Sequence, residues 1–156
     1  MSDKHIDEKK TWANATELAD FYHANKLSCS ESTIRAFNEF YELGLPEECL
    51  KIASGFTAGL GKSGCLCGGI TGCVMALSLI AGRLAPDESN ELILKVTNEL
   101  HDRFKEINKA TCCRVLTTGF EWEAPERRKQ CRRYVMEASE ITEDIINNQL
   151  NASLSK

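Results

Sequence analysis

The sequence contains no segment with sustained period-two alternation of apolar and polar residues, and no internal repeat, so nothing in it argues for a sheet or a solenoid. Prolines number only 3, and Pro46, Pro86 and Pro125 each fall where a helical run begins, a place where the missing amide hydrogen costs little. Cysteine pairs of the C-x-x-C type are absent, which removes the thioredoxin-like motif and the paired spacing of zinc ribbons. No C-x-x-C-H run is present either, so covalent haem attachment is excluded.

Positive charge is also in short supply. With 19 Lys and Arg against 23 Asp and Glu, the formal net charge is -4, which disfavours general affinity for a phosphate backbone. The local exception, RRKQCRR at 127–133, has neither an aromatic platform nor a second basic element beside it, so no nucleic-acid partner is expected. The opening MSDKHIDEKKTWANATE has no apolar h-region, so it does not read as a secretory leader and the cytoplasm is the expected compartment. The longest uncharged run, CLCGGITGCVMALSLIAG at 65–82, is diluted by glycine and cysteine. Its strongly apolar part falls far short of the roughly 20 residues that cross a bilayer, so it reads as a buried core helix and no membrane association is expected.

What the sequence has in excess is cysteine, 8 in 156 residues. In a reducing compartment such a surplus points to metal ligation or redox thiols and away from structural disulfides, although any single free cysteine also serves as a small core residue. Helical patterns surround them. Residues 14–26 give a weak first helix with Leu18, Phe21 and Tyr22 on one side. Ser28 followed by Glu31 is a capping-box pattern that opens a second helix at Cys29, running to about Leu43 with Ile34, Phe37 and Tyr41 inward and Gly44 as its stop. Pro46 starts a third, PEECLKIASGF. Glycines 55, 59, 61 and 64 then demand a tight loop before a central apolar helix from about Cys67 to Leu84, where Gly68, Gly72 and Ala76 leave room for a neighbouring helix or a cofactor.

A long fifth helix opens at Pro86 and Asp87, with Leu92, Val96, Leu100, Phe104 and Ile107 in one stripe. Pro125 begins the last, where Cys131, Val135, Ala138, Ile141 and Ile145 share a face. The expected fold is all-α, a compact bundle of five or six helices. Its expected division is a tail and weak helix over 1–27, a cysteine-rich helical redox domain over 28–146 and a frayed tail over 147–156.

On this layout Cys29 and Cys67 sit in the first turns of helices, where the macrodipole is expected to favour the thiolate. Cys113 lies in the connector after the fifth helix, and Cys131 faces inward two turns into the last. Four thiolates drawn from separate elements suit an iron–sulfur cluster or tetrahedral zinc. The intervals of 37, 45 and 17 intervening residues match no short-spacing signature. Cys49 and Cys73 read as helix and core residues. Cys65 and Cys112 read as spare ligands, resolving thiols or bystanders. His23 and His101 lie on helices and His5 in the opening tail, none with metal-ligand spacing.

The order Cys29, CGGITG at 67–72 leading into an apolar helix, CR at 113–114 and a late Cys131 ahead of YVMEASEITEDI resembles the bacterial family of redox-active proteins called C_GCAxxG_C_C. The likeness runs from about residue 28 to 146. Its Cys-Gly-Ala-x-x-Gly core carries onto Cys67, Gly68, Gly69 and Gly72, with Gly69 where the family has alanine. Read letter by letter, the family's name aligns Gly64, Cys65 and Gly69 instead, with Leu66 at the alanine position, so Cys65 against Cys67 stays open. The resemblance implies a redox role. A related domain in split-Soret cytochromes accompanies haems and is associated with a [2Fe–2S] cluster.

The leading expectation is therefore a [2Fe–2S] cluster on Cys29, Cys67, Cys113 and Cys131, used for electron transfer or redox sensing with an unidentified redox partner protein. Amides at Gly68 and Gly69, and the charges of Arg114, Arg127, Arg128, Arg132 and Arg133, would stabilise it. Two other readings stand beside it. One is a metal-free thiol–disulfide oxidoreductase, with Cys65 and Cys67 or Cys112 and Cys113 as its pair. The other is an interaction module built on structural zinc. Whether the reaction is enzymatic, and whether a homodimer shares the centre, stay open.

Overall fold

A computed structural model describes residues 11–154, and the opening segment with His5 lies outside the described residues. Every regular element among the described residues is helical, as the absence of period-two patterning implies. The longer elements are α1 (Ala15–Ala24), α2 (Cys29–Phe40), a 3-10 helix over Glu47–Phe56, α4 (Gly68–Ala81), α5 (Glu91–Asn108) and α7 (Pro125–Ile145); α3 (Thr57–Leu60), α6 (Cys113–Leu116) and α8 (Asn151–Leu154) are single turns.

The capping box forms as read: the Ser28 amide donates to the Glu31 carboxylate at 2.9 Å while the Glu31 amide donates to the Ser28 hydroxyl at 3.4 Å. This fixes the first turn of α2 and with it Cys29. The central helix is α4, buried through Gly68, Ile70, Cys73, Ala76 and Leu77 and packed between α2, α5 and α7. Its contact with α2 is close because two positions lack a side chain. A Cβ on Gly68 would stand 2.9 Å from Cys29 Cβ, and one on Gly72 would stand 1.8 Å from Thr33 Oγ1 and 2.5 Å from the Ser30 carbonyl oxygen. The glycine spacing thus brings a neighbouring helix against α4. Gly69 faces the other way, with its hydrogen toward the Tyr134 and Val135 backbone of α7.

The glycine-rich loop needs the unusual backbone expected of it. Ala58, Gly59, Leu60, Gly61 and Lys62 all have positive φ, from 56° to 71°, a single left-handed turn that only glycine adopts without cost. Gly59 is the tightest point, since a Cβ there would lie 2.3 Å from the Cys65 amide nitrogen.

Three elements differ from the sequence reading. The segment after Pro46 is 3-10 and not α, and Ala53 is its only buried residue, so no apolar stripe at α spacing holds it to the core. In α5 the inward stripe is Ile93, Val96, Leu100 and Phe104; Leu92 is 40% and Ile107 58% exposed, because the helix starts at Glu91 in a register that turns Ile93 to the core. At the C-terminal end helical structure continues through Ile146–Leu150 and α8, with Ile146 and Leu150 fully buried, so 147–154 is not frayed.

Helix α1, weak by propensity, is held by tertiary contacts. Leu18, Ala19 and Tyr22 pack on Ala36 of α2 and Val135 of α7. The Glu143 carboxylate of α7 accepts from the Ala15 amide at 2.8 Å, the Thr16 amide at 3.2 Å and the Thr16 hydroxyl at 2.6 Å, so a distant anion caps the helix where the dipole favours one. Arg132 of α7 grips Asp20 with two donors, one of them 2.8 Å from Oδ2. That bond to Arg132 holds the Asp20 carboxyl below its ordinary value despite partial burial. A lowered folded value means the stabilisation is present above the unfolded pKa of about 3.9 and disappears as pH falls through the folded one. Arg132 is half-exposed, so the contribution is at most about 1 kcal/mol. Acid titration of the thermal midpoint is expected to show a shallower loss below pH ~4 in Asp20→Asn than in the wild type; identical curves would remove the pair from the acid response.

Among the described residues no helix is long and apolar enough to cross a membrane.

Candidate functional site

A cavity of about 490 Å³ opens where the N-terminal ends of α2, α4 and α6 meet the first turns of α7 and the left-handed turn. Cys29, Cys67, Cys113 and Cys131 all line it, with Gly68. Each arrives by a different local device. Cys29 is the first residue of α2, held by the capping box, and Cys67 is the N-cap of α4. The Cys67 amide donates to the Thr111 carbonyl at 2.8 Å, which pins the start of α4 to the segment leading into α6. Cys113 opens α6, and Cys131 lies two turns into α7. Cys67, Cys113 and Cys131 are buried, and Cys29 is half-buried.

The other cysteines lie elsewhere. Cys73 is fully buried in the core beside Ser139 and Thr142, and Cys49 is half-buried on the 3-10 helix at a separate apolar groove. Cys65 and Cys112 do not line the cavity; their sulfurs face each other at 2.6 Å. Of each close pair, then, Cys67 and Cys113 face the cavity. Gly72 sits one turn further along α4, against α2 and away from the cavity wall.

The thiols are electrostatically unequal. Cys67 is pushed up to about 12 by burial, with the Gly69 and Ile70 amides pulling the other way by donating to its sulfur. Burial also raises Cys113, against the pull of Arg127, whose Nη2 lies 3.5 Å from the Cys113 sulfur. Cys29 and Cys131 share a hydrogen bond that raises the first and lowers the second. The charges of Arg127 and Arg128 add to that bond, and Cys131 falls to about 7 although burial opposes it. Arg127 and Arg128 thus favour negative charge at Cys131, in mid-helix. The helix N-terminus expected to favour a thiolate is outweighed at Cys29 by the hydrogen bond with Cys131 and by burial, and at Cys67 by burial, since desolvating a charged sulfur costs more than the end of a dipole returns.

Other groups complete the wall. His23 on α1 is 2% exposed, with Nε2 3.7 Å from the Cys29 sulfur. Burial, with Arg128 nearby, lowers it to about 4, so the ring is neutral at pH 7. Arg128 donates to the His23 carbonyl and, at 3.4 Å, to that of Leu27. The Arg127 guanidinium stacks 3.8 Å from the Trp122 ring centroid, and Lys62 approaches the same ring at 5.0 Å. Arg127 and Arg128 were legible, since they precede Cys131 by four and three residues on one helix and share its face. Arg132 and Arg133 instead bind Asp20, Asn108 and Glu137 on the outer surface. His23, Lys62 and Trp122 left no trace in spacing, because the fold alone brings them to the cysteines.

Among the described residues no three His, Cys, Asp or Glu side chains are grouped so as to hold a metal ion. The four cysteines share the cavity wall with Lys62, Arg127 and Arg128.

A family model described as "Putative redox-active protein (C_GCAxxG_C_C)" matches residues 27–145, a span that contains all four cavity cysteines and the glycine loop. The chain belongs to the C_GCAxxG_C_C family. It is also similar to an uncharacterized protein of Archaeoglobus fulgidus, 27% identical over 135 residues that cover 78% of this chain and 86% of the relative. No solved structure matches the chain. Redox activity is the described role of the C_GCAxxG_C_C family.

Proposed function

We propose that the four-cysteine cavity holds a [2Fe–2S] cluster and that the protein acts in electron transfer or redox sensing with a partner protein. The observation that carries this reading is that Cys29, Cys67, Cys113 and Cys131, from four separate elements, line one cavity of about 490 Å³. Four cysteine sulfurs are the donor set of such a cluster, and its net negative charge calls for hydrogen bonds and cations. This chain has both: the Gly69 and Ile70 amides on the Cys67 sulfur, and Arg127 and Arg128 beside Cys113 and Cys131. When bound, the cluster would supply one-electron chemistry.

The chain's own residues then have distinct tasks. Cys29, Cys67 and Cys113 release protons on ligation, and Cys131 needs to release least. Trp122 and Leu116 line the wall. Neutral His23 adds no positive charge beside Cys29. Structural zinc on the same four sulfurs, which would have to converge to about 2.3 Å from one centre, is the reading of the protein as an interaction module.

One observation favours a second reading. The hydrogen-bonded Cys29 and Cys131, with Cys131 lowered to about 7, suit a metal-free dithiol in which Cys131 attacks a substrate disulfide and Cys29 resolves the mixed disulfide. Anaerobic purification, a visible spectrum and assays of iron, zinc and acid-labile sulfide separate the readings. Colour with iron and sulfide in equal amounts is the expected result. Colourless protein with titratable thiols would leave the dithiol, and stoichiometric zinc would leave the interaction module.

A further inference from the structure

We propose that Cys65 and Cys112 form a second redox site, a dithiol that two-electron oxidation converts to a disulfide, separate from the four-cysteine cavity. Their sulfurs lie 2.6 Å apart although the residues are 47 apart in sequence. Neither side chain lines the cavity, and both are half-buried, within reach of a small oxidant.

The approach of the two sulfurs is built into the backbone. The segments 64–67 and 111–114 run antiparallel, joined by Arg114 N–H to the Gly64 carbonyl at 2.9 Å and by Cys67 N–H to the Thr111 carbonyl at 2.8 Å. These two bonds bracket the thiols, one on each side. At Gly64 the contact is so close that a Cβ would stand 2.8 Å from Arg114 Cβ. A disulfide needs side chains already facing each other across a short gap, and two backbone clamps supply that without movement of any helix.

The step proposed is thiol–disulfide exchange with a low-molecular-weight disulfide. One of the two cysteines, as thiolate, attacks the small disulfide, forming a mixed disulfide and expelling one small thiol. The second, as thiolate, attacks the protein sulfur of that mixed disulfide and expels the other small thiol. One sulfur–sulfur bond is broken and one formed; the two protein thiols lose two electrons and two protons, which end on the two small thiols. The same segments carry Cys67 and Cys113, so the disulfide ties together the two segments that present half of the cavity cysteines. It would act on the cavity only through that tie, and the pair itself holds whether or not a cluster binds.

The test uses the full chain, prepared without metal, in glutathione buffers of rising oxidised fraction. Thiols are trapped with an alkylating agent, and tryptic peptides are read by mass spectrometry. The first intramolecular disulfide is expected to join the peptides 63–83 and 110–114, to form in the Cys67→Ser and Cys113→Ser variants as well, and to reverse with dithiothreitol. Cys65→Ser and Cys112→Ser should each lose it completely and show a glutathione adduct on the remaining partner. Cys65→Ala serves the same purpose if the serine variant fails to fold. The proposal is overturned if the linked peptide persists in Cys65→Ser or Cys112→Ser, or if Cys29 with Cys131 is oxidised first. It is overturned equally if both thiols stay alkylatable under buffers that modify the other cysteines. Iron measured on separately prepared anaerobic protein bears on the cluster alone, so failure of one reading is distinguishable from failure of the other.

Discussion

Alanine at Gly72 is expected to destabilise the protein by about 2 kcal/mol and valine to prevent folding, because α2 already occupies the space a side chain would need. The alanine Cβ would stand 1.8 Å from Thr33 Oγ1 and 2.5 Å from the Ser30 carbonyl oxygen, the second of which is backbone and cannot swing away. Overpacking of this kind costs about 1–3 kcal/mol and more where helices must separate. The higher helix propensity of alanine returns only about 1 kcal/mol. The corresponding fall in melting temperature is about 4–8 °C for a domain of this size.

Two further variants give the test its specificity. Thr33→Ala in the Gly72→Ala background should restore part of the loss, because the nearest obstacle is then gone while the Ser30 carbonyl remains, and such coupling is read as non-additivity. Gly55→Ala, where a Cβ meets nothing within 4 Å, should leave the midpoint within experimental error. An unchanged midpoint in Gly72→Ala would mean that α2 and α4 are further apart than described. The effect extends to the cavity: parting α2 from α4 also parts Cys29 from Cys67, since these two residues open the two helices.

Serine in place of Cys29, Cys67, Cys113 or Cys131 is expected to abolish retention of the anaerobically assembled centre, while Cys49→Ser, Cys65→Ser and Cys112→Ser keep it. The four belong to one cavity wall and the three do not. Loss of a ligand should exceed the 10–100-fold in metal affinity that loss of an outer-shell partner typically costs. Bound iron per chain and the visible spectrum are the measurements. Circular dichroism guards against misfolding, most of all at Cys67, whose side chain is buried at the start of α4. Bleaching by Cys65→Ser with retention in Cys67→Ser would shift the ligand register by two residues and contradict the described wall.

Much of this arrangement was readable from local rules. The Ser28–Glu31 box, the proline start of α7 and its inward face through Cys131, Val135 and Ile145 are short-range features, set by capping and helical period, whereas α2 ends at Phe40, short of the stop expected at Gly44. The left-handed turn was foreshadowed by the density of glycines, and the closeness of α4 to α2 by small residues four apart. What escaped was set by contacts distant in sequence. Nothing in the spacing of Ile93 and Leu92 tells which faces the core until the start of α5 is known. Nothing near Cys29 marks His23 as its neighbour, or Trp122 as the ring under Arg127. The thiol energetics reversed for a similar reason: a helix N-terminus is visible in sequence, whereas the burial that outweighs it at Cys67 is not.

The carboxylate of Glu143 that caps α1 has a consequence for how the chain is made. Its bonds to Ala15 and Thr16 join residues 128 and 127 positions apart. A ribosome delivers Ala15 long before the anion that satisfies the amides at its helix end, which follows 128 residues later. A short helix of this kind has little stability of its own in water. During synthesis α1 therefore waits for α7, and the wall that carries His23 closes only when that late partner docks, a non-local step of the sort that slows folding.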